Sequence, residues 1–181
     1  FGVEGTIDWS GRPITSVPEV GSNNSEGILK ECTMLTEVTV KVADYLDQNT
    51  FKNCTGLKKV TIIPDDGLST VYIGNPEYIT TTNVDNFVGC TALEEVIVDA
   101  EVPTVLHIGV SAFSQLKNLT TIKSADDTKV TMMVETGAFY DCDGFTEIQI
   151  PNSVTTIYGY AFAEMDNLTS INYPKAWTTA S

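Results

Sequence analysis

FYDCDGFTEIQIPNSVTTIYGYAFAEMDNLTSINYP, residues 139–174, carries one pattern twice. FYDCDGFTEIQI from Phe139 and FAEMDNLTSINY from Phe162 superpose without a gap. Working outward, FSQLKNLTTIKS from Phe113, FVGCTALEEVIV from Phe87, FKNCTGLKKVTI from Phe51 and LKECTMLTEVTV from Leu29 fall on the same frame. The shared pattern is F-x-x-C-x-x-L-x-x-I-x-I. Its starts lie 22, 36, 26, 26 and 23 residues apart, so a basic period near 23 carries insertions in the middle. Self-similarity at such a period decides the fold before any local propensity is weighed.

Each unit divides into two halves. From the initial Phe to the Leu, apolar positions fall three apart (Phe51, Cys54, Leu57), the spacing of a short helical or 3₁₀ turn seen from its buried face. From Leu57 the order runs through Val60 and Ile62 and ends in alternation, as an extended chain requires. Gly56, Asn118, Gly144 and Asn167 lie between the halves and are expected to take the left-handed conformation there. A second strand precedes many units. In PNSVTTIYGYAF, Val154 and Ile157 point inward, and Ile108 and Val134 hold the place of Ile157 in TVLHIGVSAF and VTMMVETGAF. No such coil can bury its apolar side alone, but stacked coils make one core. The expected fold is a repeat solenoid: a leucine-rich-repeat-like superhelix of short parallel β-strands with short helical or 3₁₀ turns.

The solenoid is expected over 28–181, with a β-rich insertion near 64–86. There, STVYIGNPEYITTT alternates on both sides of Gly74-Asn75-Pro76-Glu77 and reads as a hairpin or projecting loop. Residues 1–27, rich in Gly, Pro, Ser and Asn but holding Ile7, Trp9, Ile14 and Val17, are a candidate N-terminal cap or degenerate first coil. The chain starts at Phe1 rather than Met, which points to a trimmed leader or a longer parent, and it shows no signal peptide. The segment after Trp177 is too short for another coil, so a thinly covered last coil or a longer native chain is expected.

Ten Lys plus Arg stand against 24 Asp plus Glu, a formal net charge of -14. That balance repels phosphate backbones across roughly a Debye length, about 10 Å, and no nucleic-acid partner is expected. It suits cationic partners, metal ions or plain solubility. No window is long and apolar enough for a membrane-spanning helix.

F-x-x-C-x-x-L-x-x-I-x-I-P-x-S-V-x-x-I-x-x-x-A-F resembles the leucine-rich repeat of the BspA type, found in bacterial surface proteins and some protist ones. The resemblance covers about residues 28–174. It weakens between Pro64 and Asn86 and where Leu116 and Met165 replace Cys. It implies a right-handed solenoid with a parallel sheet in an exported or surface-attached protein of adhesive or protein-binding character. It transfers no catalytic residue, because the motif is structural.

Cys32, Cys54, Cys90 and Cys142 share one inward slot with Leu116 and Met165, so reduced core cysteines are expected rather than a disulfide or a zinc site. His107, the only histidine, alternates with Leu106 and Ile108 and is assigned to the outer surface of its strand. Asp141-Cys142-Asp143-Gly144 opens like a calcium loop, but Phe145 and Asn152 stand where ligands are needed. Weak calcium binding is left open at Asp65-Asp66 and Asp126-Asp127; no cofactor is expected. The exposed positions of the first strand form the candidate partner-binding face: Thr36, Glu37, Lys59, Glu95, Thr121, Glu147 and Ser170, in rows about 4.8 Å apart. Tyr72 and Tyr78 could add an aromatic patch. The leading expectation is a non-enzymatic, extracellular or cell-surface recognition or adhesion module for a protein or glycan. The alternatives are a structural spacer that presents another domain and, remotely, a carboxylate-dependent glycan-active enzyme.

Overall fold

The computed structural model describes residues 17–20, 29–42, 44–46, 49–64, 69–74, 86–150, 152, 154–174 and 177. Twelve strands lie among them: β1 (Val17–Val20), β2 (Glu37–Val42), β3 (Tyr45–Leu46), β4 (Lys59–Pro64), β5 (Thr70–Ile73) and β6 (Glu95–Val98), then β7 (Thr104–Ile108), β8 (Thr121–Ser124), β9 (Val130–Val134), β10 (Glu147–Gln149), β11 (Val154–Ile157) and β12 (Ser170–Asn172). The first strand of each coil joins one parallel sheet, ordered β1-β2-β4-β6-β8, and the second joins another, ordered β3-β5-β7-β9-β11. β10 and β12 pair only with each other. The coils wind right-handed, the hand that twisted parallel strands favour.

Alternation explains why each strand faces as it does. In β4, Val60, Ile62 and Pro64 are buried while Lys59, Thr61 and Ile63 are half-buried on the other side. The register carries that choice from coil to coil, because Val38, Val60, Val96 and Ile122 are neighbours along the stack. A slip of one residue would turn the whole inward set to solvent. Behind them, Phe51, Phe87, Phe113, Phe139 and Phe162 form a ladder of stacked rings with centroids 5.2, 4.8, 5.3 and 5.3 Å apart. One large residue, repeated at one slot, thus forms a continuous apolar column through five coils.

The expected helical or 3₁₀ turns are absent: among the described residues no helix of any kind forms. The Phe-to-Leu half is a pair of single turns, in which the Cys54 amide donates to the Phe51 carbonyl and the Leu57 amide to the Cys54 carbonyl. What stops them joining into a helix is a left-handed residue two places after each Phe, or after Leu29 in the first unit. Glu31, Asn53, Gly89, Gln115, Asp141 and Glu164 all have φ between 57° and 78°. That twist turns alternate amides out of the coil. Phe51 N–H donates to Asn86 O and Asn53 N–H to Val88 O; Phe113 and Gln115 donate likewise to Ala138 and Tyr140. Backbone groups that a helix would use internally form a third ladder between coils.

The left-handed positions therefore lie earlier than the sequence suggested. Gly56, Asn118, Gly144 and Asn167 do not have positive φ. Their position is one of close approach instead, where Asn118 and Asn167 side-chain amides donate to the Thr91 and Asp143 carbonyls of the preceding coil. Gln115, exposed and held at φ 64°, has no steric reason to be a residue with a Cβ. Gln115→Gly is expected to raise the unfolding free energy by about 0.5–1 kcal/mol, because it removes left-handed strain. Urea denaturation would measure it, and an unchanged or lower midpoint would contradict the strain.

Part of the expected hairpin or projecting loop is described. Thr70–Ile73 is a strand of the second sheet, parallel to β3 and β7. The rest of that expectation, including Tyr78, and the candidate cap at 1–27 apart from β1 lie outside the described residues.

Candidate functional site

The outward side chains of the first sheet stand in register. Glu37 neighbours Lys59, Lys59 neighbours Glu95, and Glu95 neighbours Thr121. Glu147 neighbours Ser170 in the separate β10–β12 pair. Thr36 precedes the row, exposed, and its carbonyl accepts the Lys58 and Lys59 amides. Seven of the nine expected face residues therefore lie along the first-strand side of the stack. Tyr72 lies on the second sheet and does not join them.

Glu95 is the electrostatic centre of the row. Lys123 Nζ lies 2.7 Å from Glu95 Oε1, and Lys59 Nζ 3.4 Å from Oε2. Lys123, then Lys59, hold its carboxyl below the ordinary carboxylate range. Such half-exposed pairs add little stability but fix where charge sits on the surface. Around them Thr39, Thr61 and Ile97 form a second row, so the face mixes hydroxyl, charge and a little apolar surface.

The face is interrupted once. No ladder joins β8 to β10, although the coils that carry them remain joined elsewhere. The Phe113 and Phe139 rings stack, β9 pairs with β11, and Lys117 bridges Asp141 and Asp143 across the same two coils. Only the first-sheet edge has parted. Two sequence features coincide there: the unit from Phe139 is three residues shorter than the one from Phe113, and Phe145 stands where other coils have Leu. Behind the gap is a cavity of about 440 Å³ whose walls include Ile122, Phe145, Ile148 and Val134. Ile122 is only partly buried, while its counterparts Val38, Val60 and Val96 are almost wholly so. Nothing in the repeat pattern signals this opening except the shorter spacing and the Phe145 substitution.

The other candidate positions do structural work. All four cysteines are buried and free of disulfides. Cys54, Cys90 and Cys142 donate their thiol protons to the Leu29, Phe51 and Phe113 carbonyls of the preceding coil, at 2.9, 3.0 and 2.9 Å. The slot therefore uses the thiol as a weak donor as well as an apolar filler. The neighbouring Cys54 thiol and burial push Cys90 up, and burial pushes Cys142 up to about 12, so the thiolate form is disfavoured at these two positions. Asp126 spends its carboxylate on the Thr128 amide and hydroxyl, which together hold it below the ordinary range. Among the described residues no group of three or more His, Cys, Asp or Glu could hold a metal ion; Asp65-Asp66 lies outside them.

His107 does face outward from β7, but it is not freely solvated. Its Nε2 lies 2.5 Å from Oε1 of Glu135, which is 3% exposed, and its ring centroid is 5.5 Å from that of Tyr72. Sequence reading missed Glu135, whose only signal was a carboxylate directly after the inward Val134. His107→Leu would leave that buried carboxyl without its imidazole. The expected cost is about 1–2 kcal/mol, read by thermal denaturation. A variant as stable as the parent would show that the contact carries no net stabilisation.

With this geometry in place, comparison with known families is decisive for the repeat. The BspA type leucine rich repeat region matches in six copies, over residues 15–74 and 80–181. The chain belongs to that family, which associates it with bacterial surface leucine-rich-repeat proteins. No curated protein and no solved structure matches it.

Proposed function

We propose that this BspA-type leucine-rich-repeat chain is a non-enzymatic recognition module of a surface or extracellular protein. It would hold a protein or glycan on the outward face of its first sheet. The observation that carries the reading is the registered row Glu37–Lys59–Glu95–Thr121, presented on a stacked parallel-strand scaffold. A rigid strand surface keeps its side chains at a fixed spacing without ordering cost on binding, which is what makes such a face useful for recognition. Family membership supports the surface location. Among the described residues no helix is long and apolar enough to cross a membrane.

The test is surface plasmon resonance against immobilised matrix proteins and glycans, with a variant carrying Thr36→Ala, Glu37→Ala and Lys59→Ala. All three positions lie away from the opening between β8 and β10. Saturable binding that the variant loses supports the face. The spacer reading, favoured by the stiff Phe column, predicts instead that neither protein binds.

A further inference from the structure

The parting of β8 from β10 exposes two strand edges at once. Backbone groups alternate sides along a strand. Because the Thr121 and Ala125 amides turn to β6, donating to Glu94 and Val98, the N–H and C=O groups of Ile122 and Ser124 turn to the gap. Because Thr146 O accepts from Thr169 N–H and Ile150 N–H donates to Asn172 O, both on the β12 side, the N–H and C=O groups of Glu147 and Gln149 turn to the gap from the other side. Each wall thus offers a short run of donors and acceptors at strand spacing. The floor between them is apolar.

The rim is acidic. Lys123 is already engaged by Glu95, whereas Asp127 and Glu147 have no cationic partner among the described residues. The cavity of about 440 Å³ is the size of one bulky side chain plus the few backbone units beside it.

We propose that the gap between β8 and β10 is a peptide-binding slot, which takes an extended segment by strand addition, with a large apolar side chain in the cavity and Lys or Arg beside Glu147. The proposal rests on the reading of the chain as a recognition module and narrows its partner to protein. Main-chain bonds to the two edges would supply affinity. The cavity and the acidic rim would select alternating apolar and basic residues. A glycan would leave the apolar floor uncovered, and an acidic segment would meet repulsion at the rim.

The probe is a short capped peptide alternating lysine with valine and phenylalanine, titrated into the ¹⁵N-labelled full chain. Controls carry glycine for phenylalanine or glutamate for lysine, and decanoate serves as a small apolar competitor. The expected result is saturable binding, with the largest shifts at the Ile122, Ser124, Glu147 and Gln149 amides. The exposed Glu147→Lys change should weaken binding about tenfold by reversing a rim charge. Ile122→Trp, which fills the cavity, should abolish it. Three results would overturn the proposal: no binding of the peptide, equal binding of the glutamate control, or decanoate occupying the cavity while the peptide leaves those amides unshifted. The Thr36, Glu37 and Lys59 variant separates the two claims. If the slot fails while screened partners still bind in a way this variant abolishes, the face reading stands. If the peptide binds and no partner responds to that variant, the face reading falls.

Discussion

Phe113→Ala should lower the unfolding free energy by about 3–5 kcal/mol, the range for removing a buried aromatic ring. Phe113 is wholly buried, third in a column of five, with the Phe87 ring at 4.8 Å and the Phe139 ring at 5.3 Å. Its loss opens a cavity in the middle of the stack and removes two ring contacts together. The neighbours cannot collapse into the space without breaking the Phe113 and Gln115 amide bonds to the next coil. Phe162 is the control, because it has a stacked partner on one side only and is partly exposed. Phe162→Ala should cost clearly less. Equal losses in guanidinium melts would mean that the column is not a shared core.

Gly144→Val should cost about 3 kcal/mol through forced overpacking of backbone against backbone. A Cβ at Gly144 would lie 2.5 Å from Leu119 O and within 3 Å of the Asn118 carbonyl carbon, neither of which is a side chain that can swing away. Gly56, at the same repeat position, is as tight, with a Cβ there only 2.3 Å from Thr33 O, whereas Ala92 and Asn118 carry a Cβ, so the restriction belongs to particular junctions between coils. The close approach lies just before the point where β8 and β10 part, so a forced separation should also widen the gap. Ala92→Gly, by contrast, should change stability by no more than about 1 kcal/mol. If the two substitutions cost the same, the approach at Gly144 is not tight.

Gly144 and Ala92 hold one repeat position with different neighbours, a difference that the repeat pattern alone does not carry. Period, inward slots and strand order followed from the pattern because burial leaves a regular trace: Val38, Val60 and Val96 recur at the same place in their coils. The left-handed residues left no such trace. Glu31 and Gln115 adopt positive φ where inter-coil hydrogen bonds to Lys52 and Tyr140 hold them, and nothing in a glutamate or glutamine announces it. Three-residue spacing between Phe51, Cys54 and Leu57 looked helical, yet consecutive single turns present the same face. For the candidate site, the row of outward residues was legible from alternation alone. Its interruption was not, because a coil three residues shorter can be absorbed in a loop, as happens elsewhere, or can part a sheet. Glu135 was invisible for a related reason: its partner His107 comes from a different coil, 28 residues away in the chain.

Residue-resolved amide hydrogen exchange tests most directly the claim that one stacked solenoid presents a strand face opened at a single seam. Slow exchange is predicted for the amides bonded between coils, including Phe51, Asn53, Phe113 and Gln115, and for those of β8 that face β6. Fast exchange is predicted at Ile122, Ser124, Glu147 and Gln149. Uniform protection across β8 and β10 would contradict the seam, and fast exchange at the Phe positions would contradict the stack itself.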